Sequence, residues 1–108
     1  MNIYISIPIT GHDYQEQKKK ARKLAEAIRG LGHEPVNPFE VTAAPSHLSE
    51  QEEYAFYMGQ DIEELLLCDA IFLTRDWASS KGCRLEYNVA KIYEKQIYYK
   101  LAEIPEVE

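Results

Sequence analysis

Cysteine is scarce in this chain. Two in 108 residues, Cys68 and Cys83, are too few for a disulfide scaffold and suit a reducing compartment. Positive charge is the minority sign: 12 Lys and Arg against 18 Asp and Glu leave a net charge of −6. A surface that neutralises phosphate backbones needs clustered cations, so nucleic acid is not an expected partner. The one basic cluster, Lys18 to Lys20 with Arg22 and Lys23, reads as the solvated face of a helix. No apolar run approaches bilayer-spanning length, so no membrane partner is expected. The first residues lack a signal-peptide pattern, and the expected location is the cytoplasm. Histidine is sparse too. His12, His33 and His47 are far apart and share no metal-ligand spacing with the cysteines, so neither metal nor other cofactor is expected.

What is present is an ordinary globular composition, 45% hydrophobic and 28% charged, with room for one core. Residues 1–108 are expected to form one domain. Asn2 to Pro8 reads as a buried strand. Asp13 and Glu16 open a helix as a capping box, with Ala21, Leu24, Ala25 and Ile28 as its core stripe and Gly30 and Gly32 at its end. Glu34 to Asn37 reads as a second strand, and residues 38 to 48 as a loop. Ser49 and Glu52 form another capping box before a helix reaching about Cys68. Ala70 to Thr74 is a third strand, a helix carries Glu86, and Gln96 to Lys100 is the last strand. Strands alternating with helices predict an α/β fold with a parallel sheet and right-handed crossovers. The tail from Leu101 to Glu108, acidic and containing Pro105, is expected to be loosely held or to pack on a partner.

In such sheets ligands bind beyond the carboxyl ends of the strands. The loops expected there are residues 8 to 13, 38 to 48 and 75 to 82. The first carries Pro8, Ile9, Thr10 and Gly11, whose turn and free N–H groups can meet an anion. Trp77 in the third can stack on a base, and Ser79 and Ser80 can touch phosphate or sugar hydroxyls. Residues 79 to 91, SSKGCRLEYNVAK, set a small polar loop with Gly82 ahead of a helix bearing Glu86. Glu86 is read as lying near that helix N-terminus, where the macrodipole favours its ionised form. A held carboxylate there suits nucleophilic attack on a sugar carbon. Asp61 lies on a stripe of Tyr54, Tyr57 and Leu65, and burial of such a carboxylate would fit it for proton donation. Tyr4, mid-strand, can orient Glu86 through its hydroxyl. Each of these residues also has an ordinary reading, as dipole complement, rim carboxylate or core tyrosine.

Taken in order, three motifs resemble the nucleoside 2-deoxyribosyltransferase-like superfamily, in particular its small, uncharacterised DUF4406-type members. YISIPITG at residues 4 to 11 resembles a Tyr-x-x-Gly-Pro opening, with Ile7 at the glycine position. Asp61, Leu65 and Asp69 match an Asp-x-x-x-Leu-x-x-x-Asp spacing, and residues 80 to 86 match Ser-x-Gly-x-x-x-Glu, followed by Ala90. The resemblance implies a flavodoxin-like, Rossmann-like three-layer sandwich with sheet order 2-1-3-4. It implies cleavage or transfer at the N-glycosidic bond of 2'-deoxynucleosides or their 5'-monophosphates. Glu86 would be the nucleophile at C1', Tyr4 would hold it, and Asp61 would contact the sugar or help protonate the leaving base. Ser80 and residues 8 to 11 would bind the 5' end. The expected partner is therefore a small nucleoside or nucleotide. The same loops would also serve a non-catalytic nucleotide-binding module, a sensor or accessory protein. A homodimer is expected, because Tyr54, Tyr57 and Met58 offer an apolar, aromatic face.

Overall fold

Hydrophobic residues in runs of three to five, separated by capped amphipathic segments, give a parallel sheet covered on both sides. The structure, a computed structural model, describes residues 1–40 and 42–107. The elements are β1 (Asn2–Ser6), α1 (Tyr14–Gly30), β2 (Glu34–Val36), α2 (Glu50–Leu67), β3 (Ala70–Leu73), α3 (Lys81–Ile92) and β4 (Gln96–Tyr98). Short 3-10 turns occupy Trp77–Ser79 and Leu101–Glu103. The strands lie in the order β2-β1-β3-β4 and pair in parallel, as expected. Each strand is one or two residues shorter than its sequence pattern suggested, because the chain leaves the ladder to form the loops at the carboxyl ends.

Alternation along β1 decides which side chains meet which layer. Ile3, Ile5 and Ile7 face α1, packing with Ala21, Ala25, Ile28 and Phe72. Tyr4 and Ser6 face the opposite side, toward α2 and α3, where Leu65, Ile71, Leu73 and Ala90 gather. The molecule is a three-layer α/β sandwich.

The helix starts follow the caps. Asp13 accepts a hydrogen bond from the Glu16 backbone N–H at 2.9 Å. The reciprocal half of that capping box is not formed among the described residues. Ser49 and Glu52 form both halves of theirs. Asp69 accepts from the first N–H of β1 at 2.8 Å, so it joins the end of α2 to the sheet. The loop of residues 38–48 is tied to α2 at two described points. Gln60 exchanges hydrogen bonds with Thr42, and the Tyr57 hydroxyl accepts from the Ala44 N–H at 3.0 Å.

The tail departs from expectation. Ile104 is buried against the α1 layer, the His33 ring bonds the Pro105 carbonyl, and the Val107 N–H donates to the Leu31 carbonyl. The described tail thus packs on its own chain. The apolar residues Leu85 and Ile92 of α3 point outward, at 45% and 74% exposure, whereas Cys83, Glu86 and Ala90 form the inward face.

Candidate active site

A carboxylate points into the core from α3. Glu86 is 4% exposed, and each of its oxygens is held by a hydroxyl from β1. Tyr4 donates to one at 2.9 Å and Ser6 to the other at 2.6 Å. The two donors lie two residues apart on one strand, so the same alternation that buries the isoleucines aims both hydroxyls at one spot. Ser6 went unremarked in the sequence. Its signal was a polar residue sharing a strand face with Tyr4.

Helix α3 begins at Lys81, with Ser80 as its N-cap accepting from the Cys83 N–H at 3.2 Å. Glu86 therefore sits in the second turn, beyond the reach of the free N–H groups. This corrects the expectation that the macrodipole keeps it ionised. Burial dominates and pushes its pKa from the ordinary 4.5 up to about 7. The hydrogen bonds from Ser6 and Tyr4 oppose that rise, and the charge of Asp61 adds to it.

Asp61 approaches from α2. Burial, with the nearby Glu64 carboxylate, raises its pKa from 3.8 to about 7. Glu86 and Asp61 are therefore two carboxyl groups coupled across one space, both titrating near neutrality. Tyr4 bears on both: its hydroxyl donates a hydrogen bond to Glu86, and hydrogen bonding by the same hydroxyl opposes the rise in the Asp61 pKa. One oxygen of Glu64 is buried with no hydrogen-bond partner, and its pKa is also raised, chiefly by burial.

These groups open on a cleft of about 840 Å³, a size suited to a small organic ligand. Ile9, Thr10, Ser80, Gly82, Asp61 and Glu86 line it, with Tyr4 behind Glu86. Pro8, Gly11 and Trp77 do not line it. Gly11 has a positive φ of 82°, which makes it the pivot of the turn between β1 and α1. Pro8 and Trp77 line a separate cleft on the α1 side, and the Trp77 ring also packs against the α2/α3 core, 4.7 Å from the Tyr87 ring of α3. Tyr54, Tyr57 and Met58 form a wall of the cleft. Phe39 and Tyr14 form another wall, their rings edge to face at 5.2 Å. Tyr14 opens α1 and Phe39 lies in the loop after β2, and no sequence spacing links them.

Cys83 also lines this cleft, but burial raises its thiol pKa, so it is not a thiolate nucleophile at neutral pH. No group of three or more His, Cys, Asp or Glu among the described residues is placed to hold a metal ion. No described helix is long and apolar enough to cross a membrane.

A family model described as a domain of unknown function, DUF4406, matches residues 1–99. The chain belongs to this family. No curated protein matches the sequence significantly. Among solved structures, this DUF4406 protein is similar to a 2-deoxyribosyltransferase from the psychrotolerant bacterium Bacillus psychrosaccharolyticus. The TM-score is 0.70 at 24% identity, over 90% of this chain and 69% of the other. It is also similar to a 2-deoxyribosyltransferase from Leishmania mexicana, with a TM-score of 0.66 at 19% identity, over 89% of this chain and 61% of the other. The DUF4406 chain thus has the 2-deoxyribosyltransferase fold on a shorter frame, and the superfamily resemblance read from sequence holds at the level of fold.

Proposed function

We propose that the protein cleaves or transfers the N-glycosidic bond of a 2'-deoxynucleoside, with Glu86 as nucleophile. The observation that carries this reading is a buried carboxylate gripped by two hydroxyls on the wall of a cleft that also contains a second raised-pKa carboxyl. The fold shared with two 2-deoxyribosyltransferases supports it.

In the proposed reaction a Glu86 oxygen bonds to C1' as the C1'–N bond breaks. The bonding pair leaves with the base, and Asp61 supplies the proton that the departing nitrogen takes. Positive charge develops on the sugar, in an oxocarbenium-like transition state. A 2'-deoxy sugar bears that charge better, because it lacks the electron-withdrawing hydroxyl. The resulting glycosyl ester is then attacked at C1' by water or a second base, whose proton returns to Asp61, and Glu86 leaves as a carboxylate. Asp61 holds the proton in the resting pair because Glu86 accepts two hydroxyl hydrogen bonds that favour its ionised form. Trp77 has no part in this step, since it faces the other cleft.

The test is to incubate the protein with deoxynucleosides and look for free base by chromatography. Base release supports the proposal. Binding without release selects the nucleotide-binding module, for which Ile7 at the position of the motif's glycine is the favouring feature.

Two expectations follow from the cleft itself. Replacing Tyr4 with Phe removes one donor to Glu86 and should raise the barrier by roughly 1 to 3 kcal/mol, read as a fall in kcat with little change in KM. Charge in the cleft also bears on substrate. Glu50 and Glu53 line it along with Asp61 and Glu86, against a single cation among the described residues, Lys81. A phosphate dianion meets net repulsion there. Turnover of an uncharged deoxynucleoside should therefore exceed that of its 5'-monophosphate when kcat/KM values are compared at low salt. The reverse order would show that Lys81 and the loop N–H groups outweigh the acidic rim.

A further inference from the structure

A second cleft, of about 760 Å³, lies on the α1 side of the sheet, beyond the carboxyl ends of β1 and β3. Its walls come from parts of the chain far apart in sequence. Lys20 and Lys23 project from α1, Arg75 follows β3, and Lys100 follows β4. Between them stand the rings of Trp77 and Tyr99, with centroids 6.1 Å apart. The fold thus gathers four cations around an aromatic pair in a chain whose net charge is −6. Among the described residues, the single carboxylate lining the cleft is Asp76. Among the described residues the one ion pair is Arg29 with Glu34, so none of the four cations is paired across salt-bridge distance. Glu103 lies near Lys100, but its carboxylate is engaged by the Tyr99 and Lys100 backbone N–H groups.

Gathering like charges costs free energy unless an anion joins them. Planar aromatic walls add a preference for a flat ring, which stacks without regard to hydrogen-bond pattern. The volume falls within the range of small-molecule sites.

We propose that this cleft is a second ligand site, separate from the catalytic one, that binds a nucleotide. The base packs against Trp77 and Tyr99, and the phosphates lie against Lys20, Lys23 and Arg75. This accounts for two features left over from the catalytic reading. One is the lysine cluster of α1, which looks like a solvated face in sequence. The other is Trp77, which the sequence suggested as a base-stacking residue and which lines this cleft rather than the one holding Glu86. The inference is independent of the reaction proposed for Glu86.

The chain has one tryptophan, so its fluorescence reports on this cleft directly. The experiment titrates the protein at low salt with ADP, adenosine and inorganic pyrophosphate, following Trp77 emission. ADP should quench it saturably. Pyrophosphate should compete with ADP at higher concentration without quenching. Adenosine, lacking phosphate, should bind at least roughly tenfold more weakly than ADP. The double variant Lys20→Glu/Lys23→Glu alters two exposed α1 residues and should keep its melting temperature while losing roughly tenfold or more in ADP affinity. Arg75→Ala should weaken ADP in the same direction, whereas Glu86→Gln should leave ADP affinity unchanged. Absence of saturable quenching by millimolar ADP, or equal ADP affinity in the charge-reversed variant, would overturn the proposal. Pyrophosphate binding as tightly as ADP would overturn the assignment to a nucleotide.

Discussion

Glu86→Gln is expected to abolish base release while raising the melting temperature at pH 8. The first effect follows from chemistry. An amide keeps the shape and can still pair with the Tyr4 and Ser6 hydroxyls, but it has no nucleophilic carboxylate. Loss of a covalent nucleophile lowers turnover by roughly a thousandfold or more. The second effect follows from burial. The folded pKa of Glu86, about 7, lies above its ordinary value of 4.5. The fold therefore favours the protonated form. This contribution to stability is fully present below about pH 4.5 and is lost as pH rises through about 7. Above that, ionised Glu86 costs about 3 kcal/mol relative to a group with an unshifted pKa. Glutamine removes that cost. Chromatographic assay of base release together with thermal melts at pH 5 and pH 8 would check both effects. A variant with unchanged turnover would end the catalytic proposal, and one whose melting falls equally at both pH values would show that burial of the charge is not the governing cost.

The pH profile should be bell-shaped and narrow, because the two carboxyl groups titrate near the same value and repel each other's charge. Activity should require one proton shared by the pair. It should fall below about pH 6 as Glu86 is protonated, and above about pH 8 as Asp61 loses its proton. Asp61→Asn should remove the alkaline limb, because the acid no longer titrates. It should also move the acid limb to lower pH, because the charge that raises the Glu86 pKa is gone. Peak kcat should fall by roughly a hundredfold, the usual scale of a lost general acid. The check is kcat/KM across pH 5 to 9 for both forms. An acid limb near pH 4.5 in the parent would mean that the active carboxyl group is not buried Glu86.

Much of this was legible from the sequence. The order of strands and helices followed from apolar runs and caps, and Ser49 with Glu52 placed the start of α2 to the residue. Tyr4, Asp61 and Glu86 stood out as polar groups on otherwise apolar faces, and the fold brings them together. Other parts could not be read, for identifiable reasons. The protonation state of Glu86 depended on how deeply the fold buries its side chain, and helical spacing alone does not show that burial outweighs the helix dipole. Trp77 follows a strand end that borders both faces of the sheet, and nothing in its neighbours says which side the ring takes. Phe39 and Tyr14 meet only because the loop after β2 and the start of α1 converge in space. The partner of Asp69 is a backbone N–H at the far end of the sequence, which no local pattern announces.

The alternation of β1 has a consequence for anyone trying to alter this protein. Adjacent residues of one short strand serve opposite masters: Ile3 and Ile5 hold the α1 layer, while Tyr4 and Ser6 hold the carboxylate. A substitution scan through the strand would therefore alternate in phenotype. Odd positions would yield little folded protein, and even positions would yield folded protein with little activity. An insertion or deletion of one residue would exchange the two sets and lose both properties together. Selection for new substrates has almost no room in this strand. It is better directed at the cleft walls formed by Phe39, Tyr54 and Met58, where side chains meet the ligand space without also supporting Glu86.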